Sequence, residues 1–397
     1  MSHITEKVKQ YLRKSLLFAL LRFIKYDILR AMRKSKFIPA ILNNPLFFMI
    51  QKWFLRFSVR HIYGPKKIDY ELNELIVVCL VRDGEPYIKS FMDYYSNLGV
   101  KHIVLLDNNS RDHTVSMARA YDNVTILQTK LPYKKYQFIM KEYLIKRFSR
   151  GRWYLCVDID EFFDYPFSNT VDLKSLLEYL NKNLFTAVVG QMLDMFSDRP
   201  LLSQNGTAGG SIRELYRFYD ISDVQKETYR SSFGDQNIIS NEDIKLHWGG
   251  IRKTLFKSND WLSKHPLVFL DGKTKTTGNV SHDIYNVHVA DFTCVLFHYK
   301  FLDVFLERTR QAVQEENYAY NSKQYKRYYQ VLQQQPNIQF KREHAKEIAD
   351  VNELVDNQFL VVSNEYLDWV KSVESDSPPA SLIETSLFLG RNGSNEA

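Results

Sequence analysis

Seven consecutive apolar residues, Leu75-Ile76-Val77-Val78-Cys79-Leu80-Val81, end abruptly at Arg82-Asp83-Gly84. An unbroken run of this length reads as a strand covered on both faces. A helix follows, with Pro86 in its first turn, Ile88, Phe91, Met92 and Tyr95 on one face, and Gly99 as its stop. The alternation then repeats: a strand over 102–106, the polar turn Asp107-Asn108-Asn109-Ser110-Arg111-Asp112, a short helix, a strand over 124–127, a helix over 136–148 and a strand over 153–157. Strands separated by helices predict an α/β fold with a doubly wound, mainly parallel sheet. Leu173, Leu176, Leu177 and Leu180 then mark a helix, and 187–195 a strand. Over 203–241 the periodicity fails, which reads as a mobile insertion or lid, or as a surface loop. Beyond 372 the small and polar residues predict disorder. The plan is an N-terminal segment (1–70), a catalytic domain (71–335) and a C-terminal helical or disordered tail (336–397).

Ligands of such sheets bind beyond the carboxyl ends of the strands. Here those ends are Arg82-Asp83, Asp107-Asn108 and Asp158-Ile159-Asp160. Two carboxylates one residue apart, directly after a buried strand, can divide their work between a ribose and a hard divalent cation such as Mg²⁺ or Mn²⁺. No Gly-x-Gly-x-x-Gly and no phosphate loop ending in Gly-Lys occurs, which argues against a dinucleotide-dependent oxidoreductase. A nucleotidyltransferase acting on a sugar phosphate would want a glycine-rich loop after the first strand, where only Gly84 stands. A membrane-tethered, non-catalytic glycan-binding protein would need a vestigial site, and Asp158 and Asp160 are intact.

Several blocks jointly resemble the family 2-like glycosyltransferases of the GT-A fold, in a bacterial branch with Asp-x-Asp-Glu-Phe. They are Leu80-Val81-Arg82-Asp83-Gly84-Glu85, Leu98-Gly99-Val100, the Asp107 to Asp112 turn and Asp158-Ile159-Asp160-Glu161-Phe162, followed by Met192-Leu193-Asp194-Met195-Phe196, Gly249-Gly250-Ile251-Arg252-Lys253, Lys264-His265-Pro266-Leu267 and His298-Tyr299-Lys300-Phe301. The resemblance covers residues 75–329. It implies a nucleotide-sugar donor, a glycan or lipid-linked acceptor and a role in cell-surface polysaccharide synthesis. It also implies that Asp107 contacts the base or ribose, that Asp158 and Asp160 are the ribose and metal carboxylates, and that His298 is a late metal ligand. His298 can equally be a core histidine between Phe297 and Tyr299. Asp83 stands where an asparagine is expected at the first nucleotide contact.

Negative charge builds on the departing diphosphate, so cations are needed beside it. Arg252 and Lys253, after the Gly249-Gly250 pair, are candidates, with Lys264 and Lys300 behind them; a solvated basic turn is the plainer reading. Inverting transfer also needs a carboxylate to take the acceptor proton. Asp194, a lone charge between Leu193 and Met195, is the first choice, because an apolar setting would raise its pKa. Asp283, beside His282, is the reserve.

Charge changes the picture at one end. Residues 1–70 carry 15 Lys+Arg against 3 Asp+Glu, a net of +12, which leaves −5 for the rest of a chain whose total is +7. Within a helical pattern over 6–36, Lys14, Arg22, Lys25, Arg33 and Lys36 fall on one stripe at about 100° per residue. Arg22, Lys25 and Asp27 interrupt the best apolar run, so it is too short to span a bilayer and unlike a signal peptide. The segment therefore predicts peripheral attachment to an anionic surface, the inner face of the cell membrane, from the cytoplasm. A helix docked on the chain's own catalytic domain is the competing reading; a nucleic-acid arm lacks any accompanying motif. Cys79, Cys156 and Cys294 lie within apolar runs without metal-ligand spacing and read as buried thiols.

Overall fold

The computed structural model describes residues 45–204, 211–276, 281–316 and 319–376. The basic stripe from Lys14 to Lys36 and the chain beyond 376 lie outside them. The chain divides into two units, residues 1–56 and 57–397, and the second carries the fold. No helix among the described residues is long and apolar enough to cross a membrane.

The second unit is a mixed α/β structure around a ten-stranded sheet. Its strands are β1 (Arg60–Tyr63), β2 (Leu75–Val81), β3 (His102–Asp107), β4 (Val124–Gln128), β5 (Trp153–Asp158), β6 (Glu161–Asp164), β7 (Ala187–Asp194), β8 (Ile238–Ile239), β9 (Ser263–Phe269) and β10 (His288–His298), in the order β1-β4-β3-β2-β5-β9-β7-β10-β8, with β6 on β10. Neighbours β4, β3, β2 and β5 are parallel, as are β7, β10 and β8. Every residue of β2 and β3 is buried, as continuous apolar runs require. The principal helices are α1 (Glu85–Asn97), α2 (Thr114–Ala118), α3 (Tyr133–Phe148), α4 (Leu173–Lys182), α5 (Gly250–Phe256), α6 (Phe305–Glu315), α7 (Ala319–Gln334) and α8 (Asn364–Asp376). Helix α1 buries Ile88, Phe91, Met92 and Tyr95, and the chain leaves it through Gly99 at φ +84°.

One strand runs against the pattern. β9 is antiparallel to both β5 and β7, and its register slips between Lys264 and Leu267, where Pro266 cannot donate to the ladder. Opposite it stands Gly190, whose missing Cβ would lie 2.8 Å from the Pro266 ring.

Two further segments differ from the expectation. The described part of 203–241 holds the short helices Ile212–Leu215 and Tyr229–Phe233 and a strand, Val224–Thr228, paired with Lys245–Gly249. Tyr216, Tyr219, Tyr229 and Phe233 anchor it by burial; elements this short show no period. The C-terminal residues up to 376 are no appendage either: Leu354, Phe359, Leu360 and Tyr366 belong to the main core, and α8 runs past 372. A second, aromatic cluster, including Phe256, Phe301, Phe305, Tyr328 and Phe340, packs α5, α6 and α7 together.

Candidate active site

Strand register gathers the chemistry at one edge of the sheet. Val81 pairs with Asp107 and Leu80 with Asp158, so the three acidic strand ends are level. In the other half, β7 and β10 finish together, Asp194 against His298, and Glu161 of β6 meets His298 from the other side. Because β9 runs backwards, its first residues, Ser263 and Lys264, arrive at this same edge.

A cavity of about 740 Å³ opens here. Strand ends line it through Leu80, Asp83, Asp158, Asp160, His298 and Lys300, α3 through Tyr133 and Gln137, and the α6–α7 pair through Arg308, Lys323, Gln324, Tyr325 and Arg327. Such a volume suits a nucleotide-sized ligand.

Asp158 enters the cavity already neutralised. Lys141 of α3 donates to its Oδ1 at 2.7 Å, and Lys264 lies 3.4 Å from its Oδ2 while also holding the buried Glu161. Burial opposes ionisation, but the two ammonium groups outweigh it and hold the carboxyl below the ordinary carboxylate range.

Asp160 begins a chain of four side chains running inward. The Nε2 of His298 is 3.4 Å from its Oδ2. The Nδ1 of His298 is 2.6 Å from Oδ1 of Asp194, and Arg252 closes on both Asp194 oxygens at 2.7 Å. Burial acts first on each. Against it, His298 draws Asp160 down to about 2, Arg252 and His298 hold Asp194 low, and Asp160 raises His298. In a neutral His298, an Nδ1–H given to Asp194 would leave the Nε2 lone pair facing Asp160 and the cavity. This is how proteins fix the tautomer of a metal-binding imidazole.

Asp160 and His298 are the two side chains here that could hold a divalent cation. Among the described residues no group of three or more His, Cys, Asp and Glu side chains is spaced to hold a metal. The rest of a coordination shell would therefore come from water and donor phosphate oxygens, as is usual for Mg²⁺ sites.

Several expected contacts lie elsewhere. Asp194 is 6% exposed and does not line the cavity, and its setting is not apolar but cationic, so its pKa moves down, not up. Arg252 is the cause: buried and bonded twice to Asp194, it is not presented to a diphosphate. Lys264 is likewise committed to Asp158 and Glu161. Lys253 and Asp283 are not lining residues. Gly249 and Gly250, at φ +82° and +58°, serve a tight turn, Gly249 against Asn259 and Gly250 against Leu262. Asp107 is fully buried, accepting from the Ser110 amide at 3.0 Å and from Gln128 at 2.9 Å, and so braces its own turn. Asp83 does line the cavity; it sits at φ +49°, a conformation that Asp and Asn tolerate best, with its Oδ1 accepting from the Arg111 amide. Lys300 lines it too, its ammonium 5.1 Å and 5.2 Å from the Tyr325 and Tyr328 ring centres.

Asp260 was not among the expected residues. It lines the cavity, and its carboxylate accepts from Gln324 at 2.7 Å, Tyr328 at 3.1 Å and Ser258 at 3.1 Å, all neutral donors. It follows a short helix in an irregular segment, where no periodicity sets it apart from a surface aspartate.

No protein-family profile and no curated protein matches the chain. Among solved structures, TarS from S. aureus is similar at 18% identity and a TM-score of 0.25, over 33% of this chain and 26% of that one. The mannosyltransferase PcManGT from Pyrobaculum calidifontis, solved with GDP-Man and Mn²⁺, is similar at 16% and 0.24, over 39% and 43%. A mycobacterial protein is similar at 22% and 0.21, over 36% and 44%. The chain spans less than half the length of each.

Proposed function

We propose that the chain is a glycosyltransferase, moving a sugar from a nucleotide-sugar donor to a glycan or lipid-linked acceptor in cell-surface polysaccharide synthesis. The observation that carries this reading is the Asp160–His298 pair, fixed from behind by Asp194 and Arg252, at the strand ends of a nucleotide-sized cavity. A divalent cation bound there would offset the charge of the leaving diphosphate. Lys300 adds a fixed positive charge at the same place. Asp158, held by Lys141 and Lys264, presents an ordered carboxylate to the donor ribose, and Asp83 lies beside it.

The acceptor hydroxyl must lose a proton as the sugar is transferred. Asp260 is assigned this role in place of Asp194, because it lines the cavity and its own hydrogen-bond donors are neutral, so no paired cation competes for its lone pairs. Inverting transfer follows from such a base acting opposite the leaving group. Asp194 then acts only through His298.

The +12 balance of residues 1–70 supports peripheral binding at an anionic, cytoplasm-facing membrane, where a membrane-assembled acceptor would be presented. The test of the reading is a screen of nucleotide sugars for Mn²⁺- or Mg²⁺-dependent hydrolysis by the intact chain. Turnover that chelation leaves unchanged would overturn the metal assignment, and the absence of both binding and turnover across UDP-, GDP-, CDP- and dTDP-sugars would overturn the function.

A further inference from the structure

The cavity's charges are unevenly engaged. Most of its carboxylates have charged partners within the protein: Asp158 two lysines, Asp160 the imidazole of His298, Asp83 and Glu315 the guanidinium of Arg82; Asp260 alone has only neutral donors. Its cations are not all so committed. Lys323 and Arg327 both line the cavity, and neither has a side-chain partner among the described residues. They stand one turn apart on α7, and residues at this spacing keep their Cβ atoms about 5–6 Å apart. A phosphate group can therefore reach both. Lys326, on the same helix, makes the contrast: it is not a lining residue and is paired with Glu316 at 2.6 Å.

Depth separates these two cations from the Asp160 end. The His298 side chain is 6% exposed and that of Asp160 24%, whereas Lys323 and Arg327 are both exposed. A donor diphosphate seated at Asp160 and His298 would be balanced there by the cation those residues would hold and by Lys300. Two more positive charges, on the solvent-exposed part of the lining, are in excess of that need.

Resting on the glycosyltransferase reading, we propose that Lys323 and Arg327 form a second anion subsite, which receives a phosphate of the acceptor. The acceptor is then a phosphate-bearing molecule and not a neutral sugar. A prenyl diphosphate carrier and a phosphodiester-linked polymer share this chemistry, and the probes separate them.

The experiment titrates geranyl diphosphate, glycerophosphoglycerol and octyl β-glucoside into the intact chain by calorimetry, with Mn²⁺ and a saturating nucleoside diphosphate chosen from UDP, GDP, CDP and dTDP. At least one phosphate probe should bind while the glucoside does not, and K323Q/R327Q should weaken that binding roughly 5- to 30-fold, as expected for two exposed charge contacts. K326Q should change nothing. Preference for geranyl diphosphate would identify a lipid carrier, and preference for the diester a polymer. Failure of every nucleoside diphosphate to bind would overturn the glycosyltransferase reading itself. With the nucleotide bound, two results would overturn the subsite alone: no phosphate probe binds, or K323Q/R327Q weakens nucleotide binding instead, which would assign both cations to the donor diphosphate.

Discussion

Replacing Arg252 with methionine should destabilise the protein strongly, although the residue lies outside the cavity. At 2.7 Å and an effective dielectric constant of about 20, the single pair of unit charges it forms with Asp194 through two hydrogen bonds is worth at most about 6 kcal/mol of Coulomb attraction. Removing two ions from water costs several kcal/mol each, so most of that attraction is cancelled in the intact pair. With Arg252 gone the cancellation fails, since Asp194 stays buried with only His298 to compensate it. The expected loss is about 3–5 kcal/mol. The double variant D194L/R252M leaves neither charge and should regain much of this. Equilibrium urea unfolding of the wild type, R252M, D194L and the double variant measures the coupling, expected to be at least about 2 kcal/mol. Losses below about 1 kcal/mol for both single variants, or strict additivity, would refute a buried, mutually compensated pair.

Three other outcomes are expected. D260N should lower kcat by about 10²- to 10⁴-fold with little change in donor affinity, because an amide keeps the shape but cannot accept the proton; wild-type turnover in this variant would return the base to another residue. His247 and His265 are buried and held neutral, each with its pKa lowered to about 3, so the unfolded chain binds more protons than the folded one between about pH 6.5 and 3. Stability should therefore fall as pH drops through that window, and H265Q should remove up to about 1.4 kcal/mol per pH unit of the slope; an unchanged slope in urea titrations at about pH 5 would show that His265 is not held neutral. Neutralising Lys14, Arg22, Lys25, Arg33 and Lys36 together in the full chain should release it from anionic liposomes in a sedimentation assay, since each cation near such a surface contributes about 1 kcal/mol. Equal sedimentation would point to a brace on the catalytic domain. Truncation near Ile68 is the poorer test, because it deletes strand β1.

Legibility in the sequence followed the range of the interactions. Strands β2 and β3 are buried on both faces, so their apolar runs could be read locally, and the Asp-x-Asp pair stood out because it ends such a run. The direction of β9 is set by its neighbours and leaves no local mark, yet it is what brings Lys264 to Asp158. Asp194 looked like a lone charge because its partners, Arg252 and His298, are 58 and 104 residues away in sequence. Lys141 on α3 and Lys323 and Arg327 on α7 resemble any solvated lysine or arginine until the sheet edge shows which way they face. Asp83, Asp158, Asp160, His298 and Lys300 could thus be named from local sequence and do line the cavity, while the places of Lys141, Asp260, Lys323 and Arg327 depend on tertiary packing.

Asp160 and His298 are proposed to hold a cation together against a nucleotide-sugar diphosphate. The direct measurement is Mn²⁺-dependent binding of nucleoside diphosphates, by calorimetry, to the wild-type chain and to D160A, with thermal unfolding as a check on the fold. On this proposal, one nucleoside diphosphate binds the wild type only with the metal present, D160A loses this dependence, and D160A unfolds within a few degrees of the wild type, because Asp160 lies at the surface of the cavity. Equal, metal-dependent binding by D160A would contradict it.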